Sequence, residues 1–251
     1  MTAPIEVDTP LLEVDNVSKR FDGFVALDGI TLSVAAGERL GLIGPNGSGK
    51  STLVNCICGT LANEMGTVRF EGATMNGLTA HERTRRGLAR SFQLPRPFTS
   101  MSVAENLRVP LLYTVNARSG PHLSAAAIDE RAAELLSLVG LADKAKQLPR
   151  DLTQVEMRKL ELARALAADP KLLIADESMA GLSNTEVADI VALLIRLNER
   201  GITIILIEHI MRAVMSFSQR LVVLVSGKKI ADGAPDKVIR DPEVERAYLG
   251  Q

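Results

Sequence analysis

Positions 44–52 read Gly-Pro-Asn-Gly-Ser-Gly-Lys-Ser-Thr, a combination of glycines, a lysine and adjacent hydroxyls that suits binding of a polyanion. The glycines let successive backbone N–H groups turn inward without obstruction by a Cβ atom. Lys50 can then reach terminal phosphates, and the Ser51 hydroxyl can bind magnesium. A glycine-rich turn with a solvated lysine is the alternative. The predicted phosphate contacts are Gly44, Pro45, Asn46, Gly47, Ser48, Gly49, Lys50, Ser51 and Thr52.

Apolar residues on both sides of this phosphate loop (44–52) indicate the elements that hold it. Residues 40–43 predict a buried strand, and residues 52–58 predict the first turns of a helix. The helix start adds unpaired N–H donors and the positive end of its dipole. A strand, a glycine-rich loop and a helix in this order favour a phosphate site over a solvated turn.

A second candidate is the acidic pair Asp176 and Glu177, which follows the apolar run 172–175. A buried strand that ends in an aspartate is the expected partner of a phosphate loop. Asp176 is then expected to hold magnesium through water, and Glu177 to orient an attacking water molecule. An acid pair at the start of a helix is the alternative, and the presence of the phosphate loop favours the magnesium site.

Composition limits the classes of protein to which the chain can belong. It has 251 residues, 46% of them hydrophobic, and a net charge of −1, so bulk electrostatics give no reason to expect nucleic acid or anionic lipid. We interpret the basic cluster Arg83, Arg85, Arg86 and Arg90 as a solvated helix end, because no aromatic residues interleave it. Cys56 and Cys58 lie two apart on a predicted helix, and we expect them to be small core residues rather than metal ligands.

No part of the sequence predicts a membrane-spanning helix. The chain lacks a run of about 18 apolar residues, and its first ten residues lack the basic region of a signal peptide. We therefore expect a soluble, cytosolic protein.

Strand and helix patterns alternate along the chain and predict an α/β fold. Residues 11–21 and 30–34 alternate as antiparallel strands, and the runs 40–43, 172–175 and 202–207 predict buried parallel strands. Between them the section 103–167 is mainly helical, with one long amphipathic helix over 125–139. We expect a single domain over 1–251, in which 1–92 and 168–251 form the α/β core and 93–167 form an inserted helical subdomain. The site should lie at the carboxyl ends of the parallel strands.

Six segments in one order along the chain resemble the ATP-binding subunit of an ABC transporter. They are 44–52, 90–93 (Arg-Ser-Phe-Gln), 152–156 (Leu-Thr-Gln-Val-Glu), 176–177, 181–183 (Gly-Leu-Ser) and 207–209 (Ile-Glu-His). The resemblance covers nearly the whole chain. It implies a P-loop NTPase core with a mostly parallel sheet, an N-terminal antiparallel β part and the inserted helical subdomain.

A narrower resemblance is to the ATPase subunits of branched-chain amino-acid importers. It is carried by the segments 90–98, 180–182, 207–211 and the tail 241–250. The tail is the most specific of these, although ATPases of lipopolysaccharide export have a similar one. The resemblance thus implies import of branched-chain or related amino acids through a separate permease, with another ABC system such as lipopolysaccharide export as an alternative.

The resemblance also implies roles for matching residues, with ATP and Mg2+ as cofactors. Phe21 would stack on adenine, and Gln93 would join the magnesium shell and sense the γ-phosphate. His209 would contact the γ-phosphate and hold the attacking water beside Glu177. A core phenylalanine, a surface glutamine and a structural histidine are the respective alternatives.

The implied partners are a second ATPase subunit, identical or related, and transmembrane permease subunits. Through the permease they include a periplasmic or extracellular substrate-binding protein, whereas nucleic acid is not implied. The expected location is cytoplasmic and peripheral, on the inner face of the cell membrane. The apolar residues after Gln93, namely Leu94, Phe98 and Met101, are expected to seat a permease loop, unless they pack inside the subdomain.

The chain departs from the family pattern in its signature loop, which comprises Leu152, Thr153, Gln154, Val155 and Glu156. In the family this loop binds the γ-phosphate held by the opposite subunit. Thr153 keeps the hydroxyl, but Val155 brings a branched Cβ to a position where glycine lets backbone approach phosphate.

The departure raises a hypothesis and an alternative. The hypothesis is an asymmetric dimer, in which nucleotide on Lys50 is hydrolysed against a partner chain with an intact loop and the opposite site is slow. The alternative is a nucleotide-binding regulatory module with little ATPase activity, against which the intact Glu177 argues. A non-transport ABC ATPase acting on DNA or ribosomes is disfavoured, because 251 residues leave no room for a coiled-coil insertion or second cassette.

Overall fold

The computed structural model describes residues 10–92 and 95–249. Its strands are β1 (Leu12–Phe21), β2 (Phe24–Val34), β3 (Arg39–Ile43), β4 (Met65–Phe70), β5 (Ala73–Thr74), β6 (Leu88–Ser91), β7 (Leu172–Asp176), β8 (Thr203–Ile207), β9 (Arg220–Val225) and β10 (Lys228–Gly233). Its α-helices are α1 (Lys50–Cys58), α2 (Ala80–Arg85), α3 (Val103–Pro110), α4 (Ala125–Val139), α5 (Gln154–Leu166), α6 (Asn184–Glu199), α7 (Met211–Phe217), α8 (Pro235–Val238) and α9 (Pro242–Leu249). Within the described residues no helix is both long and apolar enough to cross a bilayer.

The described strands form two sheets. A four-stranded antiparallel sheet has the order β2-β1-β4-β5, and a six-stranded sheet has the order β10-β9-β3-β8-β7-β6. All neighbours in the second sheet are parallel except β9 and β10, which form a terminal hairpin. The α/β fold with a mostly parallel sheet and an N-terminal antiparallel part is therefore confirmed.

Buried parallel strands explain why the sequence runs 172–175 and 204–207 are continuously apolar. Alternate side chains of β7 point to opposite faces: Leu172 and Ile174 join the core beneath the antiparallel sheet, whereas Leu173 and Ala175 join the core that contains helices α3 to α6. Both faces of the strand are thus covered by apolar layers.

Local signals set the ends of the helices of the helical section. Helix α4 spans Ala125–Val139, as the periodicity predicts, because Ser124 caps its first turn and Gly140 ends it at a φ of 74°. Helix α3 ends at Pro110 and continues as one π-helical turn, Leu111–Val115, since proline lacks the N–H that a regular α-helix needs.

The interpretation of the basic cluster as a solvated helix end is wrong for two of its members. Arg83 is 3% exposed and donates hydrogen bonds to the carbonyls of Cys56 and Ile57 at 2.7 and 2.8 Å. Arg90 lies on β6 and turns towards the sheet edge. Cys56 and Cys58 are buried, as predicted, and burial raises the pKa of their thiols to about 11 and about 12.

Four strands of the parallel sheet bring their carboxyl ends to one edge. Strand β3 leads into the phosphate loop, β7 ends in Asp176, β8 leads to His209, and β6 ends just before Phe92. Because β3, β8, β7 and β6 are consecutive neighbours, the residues that follow them converge there.

Candidate functional site

The phosphate loop joins β3 to α1 with its glycines in conformations that other residues rarely adopt. Gly44 has a φ of 152°, and a Cβ there would lie 2.1 Å from the Leu224 carbonyl oxygen. Gly49 has a φ of 103°, and a Cβ there would lie 2.7 Å from the Ala26 carbonyl oxygen. Among the described residues no side chain caps the N-terminus of α1, which leaves the N–H groups of its first turn to donate hydrogen bonds to an anion.

Lys50 curls back over this loop. Its Nζ donates hydrogen bonds to the carbonyls of Gly44 and Pro45 at 2.7 and 3.1 Å, and it lies 3.4 Å from the Ser48 hydroxyl. Burial lowers the pKa of Lys50, against the opposing effect of the carboxylates of Glu177 and Asp176. A buried ammonium whose partners are neutral carbonyls is well prepared to exchange them for phosphate oxygens.

Asp176 is held by a residue that the sequence reasoning assigned to solvent. Arg90 Nη2 lies 2.5 Å from Asp176 Oδ2, and Arg90 Nη1 donates to the Asn55 side chain at 2.7 Å. Asn55 belongs to α1, so the guanidinium ties the aspartate to the helix that follows the phosphate loop. The Arg90 guanidinium also lies 5.2 Å from the centre of the Phe92 ring.

The donor set suits magnesium only together with a nucleotide. Across residues 10–92 and 95–249, no three His, Cys, Asp or Glu side chains group closely enough to hold a metal ion alone. Magnesium commonly takes one or two protein oxygens and completes its shell with water and phosphate oxygens. The exposed Ser51 on α1 and Asp176 at the end of β7 fit that pattern.

Glu177 and His209 meet at the same edge. Glu177 Oε1 lies 2.6 Å from His209 Nε2, although the two residues are 32 positions apart. Glu177 adopts a left-handed conformation, with a φ of 46°, and its N–H donates to the Ile207 carbonyl at 2.8 Å. A carboxylate and an imidazole in contact can hold a water molecule and accept its proton.

Glu208, beside His209, is a buried carboxyl that the sequence reasoning did not assign. It is 3% exposed, and its Oε1 accepts a hydrogen bond from the Met179 N–H at 2.8 Å. Burial raises its pKa to about 7, although the N–H groups of Met179 and His209 bond to it. The signal that could have found it is an acidic residue directly after the apolar run 204–207 of β8.

The Phe21 side chain is exposed to solvent. The residue ends β1, pairs with Phe24 across the turn at Asp22 and Gly23, and is 44% exposed. Its ring is therefore not part of the core, and Lys19 Nζ lies 5.4 Å from its centre. Gln93, expected in the magnesium shell, lies outside the described residues.

The signature loop lies at the start of α5 and contacts the loop that follows β7. Thr153 caps the helix and forms a capping box with Glu156, whose Oε2 accepts from the Thr153 N–H at 2.8 Å. Gln154 Nε2 lies 3.4 Å from the Ala180 carbonyl oxygen. Val155 is half-buried and packs against the core of the helical section.

The chain is similar to known proteins over almost all of its length. The family model described as "ABC transporter" matches residues 27–180. The chain is 37% identical over 251 residues to the high-affinity branched-chain amino acid transport ATP-binding protein BraF of Pseudomonas aeruginosa, with 96% of this chain and 98% of that protein covered. It is 36% identical over 255 residues to LivG of Escherichia coli (strain K12), which bears the same description, with the same coverage.

Another relative has a different cargo. The methionine import ATP-binding protein MetN of Rhizobium johnstonii is 37% identical over 238 residues, which cover 94% of this chain and 64% of that protein.

Solved structures of ATP-binding cassettes superpose on this chain. The crystal structure of a nucleotide-free ATP-binding cassette from an ABC transporter superposes with a TM-score of 0.85 at 32% identity and covers 97% of this chain and 100% of that one. A dimeric cassette bound to ADP and Pi in a post-hydrolysis state superposes with a TM-score of 0.78 at 27% identity and covers 89% and 98%.

Proposed function

Because the chain belongs to the ABC transporter family, as an ATP-binding subunit that hydrolyses ATP, we propose that it energises the import of branched-chain or related amino acids through a separate permease. The observation that supports this most directly is the full-length similarity to BraF and LivG. MetN supports the wider class of amino-acid cargo, but this chain spans about two thirds of its length.

Phosphate binding in this proposal starts from the phosphate loop. The N–H groups of the loop and of the first turn of α1 bind the β- and γ-phosphates. Lys50 exchanges the carbonyls of Gly44 and Pro45 for a γ-phosphate oxygen, and the polyanion raises its pKa again. Phe21, exposed at the end of β1, stacks on the adenine.

Magnesium, when bound, neutralises negative charge on the phosphates. We assign Ser51, Asp176 and Gln93 to its shell. The Arg90 side chain orients Asp176 by holding one of its two oxygens.

Hydrolysis requires a water molecule placed against the γ-phosphate. In the proposal Glu177 accepts a proton from that water at its carboxylate, while His209 holds both the Glu177 side chain and the γ-phosphate. The 2.6 Å contact between Glu177 and His209 supports this assignment.

A second ATPase subunit completes the site. In the proposal the signature loop of the opposite chain closes on the γ-phosphate; that a related cassette bound to ADP and Pi is dimeric supports the pairing of two chains. Because Val155 replaces glycine here, we propose that this chain pairs with a related chain whose loop is intact, and that the two sites then differ in rate.

A cleft beside β6 is the proposed docking groove for the permease. It has a volume of about 320 Å3 and lies between β6, α3 and α5. Phe98 lines it together with Phe92 and Tyr113, and these side chains are 41%, 49% and 72% exposed, which supports a docking role for Phe98. Of the other residues expected to seat a permease loop, Met101 is 36% exposed but does not line this cleft, and Leu94 lies outside the described residues. Arg164 lies 5.1 Å from the Phe98 ring centre and pairs with Glu161 at 2.9 Å. An apolar permease helix with an acidic or carbonyl end fits such a groove.

Uptake in cells tests the proposed function. A strain that lacks this chain should lose uptake of labelled leucine, isoleucine and valine, and a plasmid copy should restore it. The Glu177→Gln variant should not restore uptake, whereas Glu186→Gln, a carboxylate on α6 away from the acidic pair, should. Undiminished uptake in the deletion strain would refute the cargo, and restoration by Glu177→Gln would refute the role of Glu177.

A further inference from the structure

The backbone pairing of β7 with β8 ends at the candidate site. Beyond that point a side chain, rather than a backbone carbonyl, accepts the next hydrogen bond between the two chain segments. The last paired residues are Asp176 and Ile207, after which the Glu177 N–H donates to the Ile207 carbonyl at 2.8 Å. In a continuing parallel ladder the next donor, two residues on, would bond to a backbone carbonyl of the neighbouring strand. Here that donor is the Met179 N–H, and it bonds to the Glu208 carboxyl instead, at 2.8 Å.

The two loops after these strands are therefore joined at two points. One is the contact between Glu177 and His209, at 2.6 Å, and the other is the bond from Met179 to Glu208. Glu208 directly precedes His209, and Met179 follows Glu177 by two residues, so only short backbone segments separate the two points. The four residues therefore form a closed ring of contacts at the edge of the sheet that carries Glu177 and His209.

The hydrogen bond from the Met179 N–H to Glu208 is shielded from solvent. Met179 is fully buried and Glu208 is 3% exposed. A buried N–H that loses its acceptor cannot turn to water instead, so the backbone must move or the group must remain unpaired. The position of the Met179 backbone therefore depends on an oxygen atom at Glu208.

The backbone of Glu177 needs such support. Its φ of 46° is a left-handed conformation that a residue with a Cβ adopts at a cost and keeps only where its surroundings impose it. The hydrogen bond of Glu177 to Ile207 fixes it on one side, and the bond of Met179 to Glu208 fixes the chain two residues later. Without the second bond, the backbone at Glu177 is fixed on one side only, and its side chain is held less firmly towards His209.

We propose that Glu208 is a positioning residue for ATP hydrolysis: its side-chain oxygen fixes the backbone at Met179 to the loop that carries His209, and thereby sets the separation of the Glu177 carboxylate from the His209 ring. The proposal rests on the proposed function, because it takes Glu177 and His209 as the groups that act on water. Glu208 itself touches neither phosphate nor water in this scheme.

Two substitutions separate the oxygen of Glu208 from its bulk. Glu208→Gln keeps an oxygen that can accept the Met179 N–H, whereas Glu208→Leu keeps similar volume and offers none. The first readout is the NMR signal of the His209 ring in selectively labelled protein, which contains three histidines. Replacing Glu177 by Gln should shift that signal in the wild-type and Glu208→Gln backgrounds, and in the Glu208→Leu background the shift should fall by about half or more.

The second readout is hydrolysis with enzyme in excess of ATP, together with ATP affinity measured by fluorescence titration. Glu208→Leu should slow hydrolysis about ten- to hundred-fold and change ATP affinity less than about two-fold, while Glu208→Gln retains most of the rate. A merely structural role would change affinity and rate together, because the phosphate loop shares the same sheet.

The outcomes distinguish the inference from the function on which it rests. An undiminished shift of the His209 signal in the Glu208→Leu background, or equal losses of rate in the two Glu208 variants, would overturn the inference. If Glu177→Gln leaves hydrolysis unchanged, the assigned role of Glu177 fails instead, and the NMR comparison still decides whether Glu208 sets the geometry of the pair.

Discussion

The buried carboxyl of Glu208 should make the stability of the protein fall as the pH rises. Burial favours its neutral form and raises its pKa from 4.5 to about 7, with the carboxylate of Glu177 adding to the effect and the His209 ring and two backbone N–H groups opposing it. Between these pH values the folded chain keeps a proton that the unfolded chain releases, so folding becomes less favourable as the pH rises through that window.

The size of the effect follows from the shift. At about 1.4 kcal/mol per pKa unit, the rise from 4.5 to about 7 corresponds to about 3 kcal/mol of unfolding free energy. Below about pH 4.5 the carboxyl is protonated in both the folded and the unfolded chain, and it does not lower stability there. Above about pH 8 it is ionised in both states, and the full loss of unfolding free energy applies. Glu208→Gln carries no ionisable group at this position, so its stability relative to wild type should improve by about 2.5 kcal/mol between pH 5 and pH 8, since part of the effect has already appeared at pH 5.

Urea unfolding followed by circular dichroism at pH 5, 6, 7 and 8, without nucleotide, measures this difference. A matched control is Glu186→Gln. Hydrogen bonds from the Ser183 side chain and backbone lower the pKa of Glu186 from 4.5, so its contribution is lost only at a pH below the measured range, and the difference between Glu186→Gln and wild type should stay nearly constant from pH 5 to 8. A difference between Glu208→Gln and wild type that stays constant within about 0.5 kcal/mol from pH 5 to 8 would show that Glu208 ionises freely in the folded chain.

Three further predictions concern binding, hydrolysis and coupling. Phe21→Ala should weaken ATP binding about ten-fold in a fluorescence titration, since base stacking contributes about 1–3 kcal/mol, while Phe24→Ala should bind normally; equal affinities would remove adenine stacking from Phe21. Val155→Gly should raise ATP hydrolysis by the chain alone and lower its melting temperature, because glycine costs about 1 kcal/mol inside a helix; an unchanged rate would show that this side chain does not obstruct phosphate. Phe98→Ala should reduce amino-acid uptake but not ATP hydrolysis by the purified chain, and unimpaired uptake would exclude Phe98 from permease docking.

The parts of the fold that local sequence determines could be predicted well. Helix α4 has a serine cap, a glycine stop and clear periodicity, and its bounds match the structure. The apolar runs of β7 and β8 predict buried strands because both faces of these strands are covered. The glycine spacing predicts the phosphate loop because Gly44 and Gly49 adopt backbone conformations that other residues avoid.

Residues whose role depends on a distant partner could not be predicted in this way. Arg90 is one of four nearby arginines in the sequence, and only the parallel pairing of β6 with β7 places it against Asp176. Arg83 likewise finds its acceptors 26 and 27 residues away, at the end of α1. The role of Glu208 depends on the strained loop at Glu177 and Met179, because that loop brings the Met179 N–H to the Glu208 carboxyl.

The shared core on one face of β7 has a consequence for attempts to divide the molecule. Leu173 and Ala175 of the sheet, Leu194 of α6 and Leu136 of α4 belong to a single apolar cluster. A fragment comprising only 93–167 would lose the sheet half of that cluster and expose its own half to water, so it should aggregate or remain molten when expressed alone. Chain cleavage within the loop 116–124 of the intact protein should, by contrast, leave the pieces bound to each other, since most of the cohesion lies in contacts that the cut does not touch.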